Sequence, residues 1–151
     1  MSQPYTGSKL KAVHSFTVFP DDLNYVGSLF GGRVALAMDL AGVKVIRRAL
    51  YGTNADGCVT ASYDRIDFIK PAFLGDIITM ESEIKAFGKS SIQVRIKVNR
   101  EGLDGNMEQI CAANMTFIAV KDKKPFAHGV PKSMEKYRND CISHIFSRLL
   151  C

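Results

Sequence analysis

The chain has 151 residues, a net charge of +5 at pH 7 and 46% hydrophobic residues. This size and balance describe one globular domain with its own core, and they exclude a disordered chain and a membrane-spanning helix. Basic residues are not interleaved with aromatics in a nucleic-acid pattern, no apolar signal segment opens the chain, and the scattered Cys58, Cys111, Cys141 and Cys151 read as reduced thiols of a cytoplasmic protein.

Residues 1–12 are polar and read as a flexible N-terminus. Residues 14–19 alternate in part and predict a strand that ends at Pro20. Residues 24–42 (NYVGSLFGGRVALAMDLAG) are the centre of the sequence. They begin as a glycine-punctuated loop, and a helix is expected over 31–50. On a helical wheel Arg33, Lys44, Arg47 and Arg48 gather in one sector with Ala37 and Leu40. Asp39 lies away from that sector, and the small side chains of Ala35 and Gly42 beside it leave room for something to approach.

After a turn over 51–57, four strands are expected at 59–68, 77–87, 91–100 and 108–120. The third alternates most cleanly, with Ile92, Val94, Ile96 and Val98 against Gln93, Arg95, Lys97 and Asn99. One long helix followed by strands on short turns predicts an α+β domain over 13–121, an antiparallel sheet wrapped on the helix. Residues 122–151 read as a mostly helical C-terminal extension, with Ser133 as N-cap and a stripe of Met134, Tyr137, Cys141, Ile145 and Leu149.

An aspartate inside an apolar helix is commonly structural, a cap for a loop or the partner of a buried arginine. Here the helix opens on Gly31-Gly32, whose backbone N–H groups suit an oxyanion or a phosphate. A carboxylate together with aimed donors is the equipment of water-driven acyl transfer. Seven residues separate Gly32 from Asp39, about 10 Å along a helix, too far for one carbonyl to reach both. If both act on one substrate, the second group comes from another copy, which predicts a symmetric dimer with sites at its seam. Other chemistries lack their residues. There is no Gly-x-Ser-x-Gly elbow, Glu83 stands where a P-loop ending at Gly88-Lys89-Ser90 needs glycine, and His14, His128 and His144 have no ligand spacing. No metal is therefore expected. Ser90 and Ser91 are open to two readings, the start of a strand or a substrate contact.

The segment PDDLNYVGSLFGGRVALAMDLAG resembles the signature of the hot-dog-fold acyl-CoA thioesterases, specifically the YciA-type and brain acyl-CoA hydrolase group. The resemblance continues through Val59-Thr60-Ala61, Asp67-Phe68-Ile69-Lys70-Pro71, Gly75-Asp76 and Gly88-Lys89-Ser90-Ser91. It implies a hot-dog fold, a long central helix wrapped by five to six antiparallel strands. It also implies a homodimer with a continuous sheet, often a trimer of dimers, and hydrolysis of acyl-CoA to free acid and CoA without a further cofactor. Carried over by position, Asp39 is the catalytic carboxylate and Asn24 its amide partner from the opposite subunit, with Gly31 and Gly32 near the thioester oxygen. Ser90, Ser91, Lys70, Lys89 and Phe30 are the implied substrate contacts. The alternative is a non-catalytic acyl-CoA-binding or regulatory protein on the same fold.

Overall fold

The computed structural model describes residues 10–130. The elements are β1 (Lys11–Thr17), a 3-10 turn (Pro20–Asp22), α1 (Gly31–Leu50), β2 (Gly57–Phe68), β3 (Ile77–Phe87), β4 (Ser91–Glu101), β5 (Met107–Lys121) and β6 (Lys124–Pro125). They make the expected hot-dog arrangement, one long helix against a six-stranded antiparallel sheet in the order β1-β3-β4-β5-β2, with β6 paired to β5. The helix bounds and those of β3 fall where the sequence places them. β1 starts earlier, so Lys11 and Ala12, expected in the flexible N-terminus, belong to the sheet. The rest of that terminus, the helical tail with Ser133 and its apolar stripe, and His144 lie outside the described residues.

The core follows from period two on the sheet and a broad stripe on the helix. Ile92, Val94, Ile96 and Val98 are buried to the last atom or nearly so, facing Val34, Met38, Ala41, Val45 and Ile46 of α1. Two corrections concern the helix wheel. Ala37, expected in the charged sector, is completely buried, and Leu36, placed outside that sector, is half exposed; Leu40 is half exposed, as its place in the sector implies. The room expected at Gly42 is taken from within the protomer, because a Cβ there would lie against Phe117 Cζ and 2.7 Å from its Cε2. Gly42 thus lets the helix rest on the wholly buried Phe117 ring. A buried hydroxyl is satisfied: Ser82 donates from Oγ to the carbonyls of Ala12 (3.2 Å) and Ala41 (2.9 Å).

The two sheet edges differ. Along β1, Lys44 Nζ donates to the Val13 carbonyl (2.5 Å) and Arg48 to the Lys11 carbonyl (2.9 Å), so the basic sector of the helix covers that edge. β2 occupies the other edge; over its 12 residues it has no buried position. Its outer side carries no comparable side-chain cover among the described residues.

Candidate active site

The helix start comes first. Phe30 precedes α1 with extended backbone and gives no side-chain cap, and the first turn has no acidic residue. The first helical bonds run from the N–H groups of Arg33 (2.9 Å) and Val34 (3.2 Å) to the Phe30 carbonyl. The N–H groups of Gly31 and Gly32 precede those bonds and form the positive end of the helix dipole. Two aromatic rings stand beside them. A Cβ on Gly32 would fall 2.5 Å from the Phe30 ring, and one on Gly31 would fall 3.4 Å from the Phe68 ring. Glycine at both positions brings backbone donors and aromatic faces together.

Asp39 sits two turns further along, half-buried. Its Oδ1 accepts a short hydrogen bond from the Thr60 hydroxyl of β2. No buried arginine pairs with it, so the usual structural explanation for such an aspartate does not apply among the described residues. β2 reaches the helix through two irregularities, where its pairing with β5 shifts between Thr60 and Ser62 and again between Tyr63 and Arg65. Each inserts one residue and resets which side chains face inward. Cys58 and Thr60 turn inward by regular alternation, and after each shift the next inward residue comes three positions on, at Tyr63 and then Ile66, where regular pleating would have given two. The Tyr63 hydroxyl donates to the Ala35 carbonyl (2.9 Å), tying β2 to α1 one turn before Asp39. The neighbours register the carboxylate. Burial and then the Asp39 charge push the Cys58 thiol up to about 11, and the same two causes raise the Tyr63 phenol.

Asn24 lies in the loop before the helix, and its hydrogen bonds shape that loop. Its side-chain carbonyl accepts from the N–H groups of Val26 and Ser28 (both 3.1 Å), and its amide donates to Ser28 Oγ (2.9 Å). That uses one of the two amide N–H donors and leaves the other for a further acceptor. The loop is anchored by Arg33, which donates to Asp22 (2.7 Å), and by the bond from Phe30 N–H to the Asp22 carbonyl (2.9 Å). Tyr25 at its tip is fully exposed. Within a protomer Asn24 and Asp39 make no hydrogen bond to each other.

The implied substrate contacts divide between the two ends of the sheet. Ser90 and Lys89 lie in the β3–β4 turn and Ser91 begins β4; the turn closes through the bond from Gly88 N–H to the Ser91 carbonyl (2.8 Å). Ser90 accepts from Ala119 N–H at its carbonyl (2.8 Å). This is the end where Thr60 pairs with Phe117 and Phe117 with Ile92, so Ser91 and Thr60 are about two strand spacings, or about 10 Å, apart. Lys70 follows the far end of β2, with Phe30, Gly31 and Phe68. Eight residues of β2 separate Phe68 from Thr60, but with the two insertions they span six positions of β5, about 20 Å. Lys70 is already paired: its ammonium meets Glu108 at 2.5 Å, Glu108 also takes the Arg100 guanidinium, and Arg100 reaches Asp76 (3.2 Å). Thr60 and Tyr63 are the site residues that sequence reasoning missed. Thr60 was within the matched segments, yet nothing local showed that it would face Asp39.

A model of the thioesterase superfamily matches residues 26–104. The chain is 34% identical over 137 residues to an uncharacterized acyl-CoA thioester hydrolase of Bacillus subtilis, covering 89% of this chain and 76% of that one. It is 31% identical over 86 residues to the cytosolic acyl coenzyme A thioester hydrolase of Rattus norvegicus, where the match covers 56% of this chain but only 23% of the longer relative. The structure superposes on the hexameric thioesterase of Yersinia pestis with a TM-score of 0.71 at 28% identity, covering 78% of this chain and 93% of that one. By family model and relatives, the chain belongs to the thioesterase superfamily, among its acyl-CoA thioester hydrolases.

Proposed function

We propose that the chain hydrolyses acyl-CoA thioesters at the seam of a homodimer, with Asp39 of one protomer as general base and the helix start of the other as oxyanion site. The observation that carries this is the Asp39–Thr60 contact on a helix whose own donors at Gly31 and Gly32 lie about 10–12 Å away. One protomer holds both halves of the machinery but too far apart for one carbonyl. Pairing two copies along β2 resolves the separation. Antiparallel two-fold pairing sets the Thr60 end of one strand beside the Phe68 end of the other. The base of one copy then meets the Gly31–Gly32 donors and Asn24 of its partner, and the two groups of implied substrate contacts are reunited. The bare edge of β2, opposite the covered edge of β1, favours this pairing. Three such dimers make a hexamer, the assembly named for the Yersinia pestis relative.

In the reaction Asp39 takes a proton from water, and the water oxygen attacks the thioester carbonyl. The second amide N–H of Asn24 and the helix-start N–H groups hold the oxyanion. The C–S bond then breaks, the free acid forms, and CoA leaves as its thiol with the proton from Asp39. A thiolate leaves readily, so a positioned carboxylate suffices and neither metal nor additional cofactor is required. General-base help contributes about 10²–10⁴-fold and an oxyanion donor about 10²–10³-fold. We place the reaction in the cytoplasm, where thiols such as Cys58 and Cys111 stay reduced.

Thiol release from acyl-CoA by the wild-type protein and by Asp39→Asn tests the proposal. Loss of turnover by at least about 10²-fold with CoA affinity retained is expected; unchanged turnover refutes the role of Asp39. Binding without turnover in the wild type would support the non-catalytic alternative. In a single turnover in isotope-labelled water, label found in Asp39 would replace general-base attack by an anhydride route.

A further inference from the structure

We infer that the apolar cleft beneath the start of α1 takes the acyl chain of the substrate and limits its length, an inference that rests on the hydrolase reading above. The cleft has a volume of about 350 Å³ and opens at Gly31, where the thioester oxygen is proposed to sit. Leu29, Val34, Ala72, Ile110 and Cys111 line it, and all five are at least nine-tenths buried. The Cys111 thiol is pushed up to about 11, chiefly by burial, so it forms a neutral wall. Lys70 also lines the cleft, but it is half-exposed and its ammonium is paired with Glu108, so the buried wall itself is apolar. It suits an aliphatic chain.

The cleft is also held in shape. The loop after β2 is closed over it by bonds from Ile69 N–H to the Ile110 carbonyl (2.8 Å) and from Leu29 N–H to the Ala72 carbonyl (2.8 Å). Beyond it, Asp76 accepts from Phe73 N–H (2.8 Å) and pairs with Arg100. Glu108 clamps Lys70 to the same arginine, so this loop is pinned at both ends. A pinned apolar cleft beginning at the helix donors measures the chain that extends from the carbonyl. At about 30 Å³ for a group the size of a water molecule, it holds about a dozen methylenes at most, which places the optimum among medium-length chains. Burying each methylene is worth about 0.8 kcal/mol, or about fourfold in kcat/KM, until the floor is reached.

The test compares kcat/KM over a series from acetyl- to palmitoyl-CoA for the wild type, Cys111→Leu and Ile110→Ala, together with the affinities of matching non-hydrolysable S-alkyl-CoA thioethers. Leucine at 111 removes room for about two methylenes, so the decanoyl-to-butyryl ratio is expected to fall about 15-fold. Alanine at 110 is expected to move the optimum to longer chains. Profiles parallel to the wild type in both variants, by turnover and by thioether affinity, overturn the inference. Thioether affinities that follow the expected pattern without any turnover would leave the cleft assignment standing and refute the hydrolase reading instead.

Discussion

Replacing Gly42 by alanine sets two physical effects against each other. In an isolated helix the change is favourable by about 1 kcal/mol, because alanine loses less backbone freedom. In this fold the new methyl would lie 2.7 Å from Phe117 Cε2 and against Cζ, about 0.8 Å or more inside a carbon–carbon contact of about 3.5 Å. Phe117 cannot yield easily, since it is completely buried and its strand is paired on both sides, to Thr60 and to Ile92. Overpacking of this kind costs about 1–3 kcal/mol, occasionally more. The net expectation is a loss of up to about 2 kcal/mol, with the melting temperature falling by several degrees. Activity is expected to fall further than stability alone explains. Asp39 lies one turn from Gly42, Thr60 pairs directly with Phe117, and a helix pushed away by a fraction of an ångström loosens the Asp39–Thr60 bond. The assay is thermal and chemical denaturation with parallel thiol-release kinetics, repeated in Gly42→Ala combined with Phe117→Leu, where the smaller side chain relieves the clash. A melting temperature raised by alanine with unchanged kcat would refute the packing argument and leave helix propensity in command.

Thr60→Val removes the donor to Asp39 at nearly constant volume. A hydrogen bond to a charged group worth about 1.5–3 kcal/mol corresponds to about 10- to 150-fold in kcat if its whole value is lost in the transition state, while Thr60→Ser restores most of it; equal kcat for all three would deny Thr60 a positioning role. The carboxyls of Glu108, beside Lys70 and Arg100, and of Asp22, beside the Phe19 N–H and Arg33, are held below their ordinary values of 4.5 and 3.8. A depressed carboxylate stabilises the fold above its ordinary value and loses that contribution as pH falls through its folded one, so melting temperature should drop on acidification below those values and Glu108→Gln should flatten part of the slope. An unchanged slope would count against the network. Cys58, with its thiol pushed up to about 11, is expected to alkylate slowly at neutral pH, and to do so faster in Asp39→Asn, where the neighbouring charge is gone; peptide mass spectrometry after timed labelling reads both. Rapid labelling of wild-type Cys58 would contradict its burial.

Much of this protein was legible from local pattern. The helix at 31–50 shows itself by its glycine start and apolar periodicity, and β4 by strict alternation, because each reports a backbone period that neighbouring residues impose on one another. The catalytic candidates were legible too: Asp39 as a lone carboxylate in an apolar helix, and its distance from Gly32 as arithmetic along one axis. What local pattern could not supply was every contact made across the sheet. The partnership of Asp39 with Thr60 depends on how the helix lies across β2, and the inward turn of Tyr63 on a strand irregularity that leaves no mark in the alternation. The space at Gly42 went to Phe117, 75 positions away, and Lys70, an implied substrate contact, is paired with a Glu108 that only the strand order brings beside it. Ala37 went inward and Leu36 outward, against the helix wheel, for the same reason, since the sheet chooses which arc of a helix it covers. Periodicity is a property of adjacent residues and can be read along the chain; register, bulges and the choice of covered face minimise exposed apolar area for the whole molecule, and they exist only once distant segments have met.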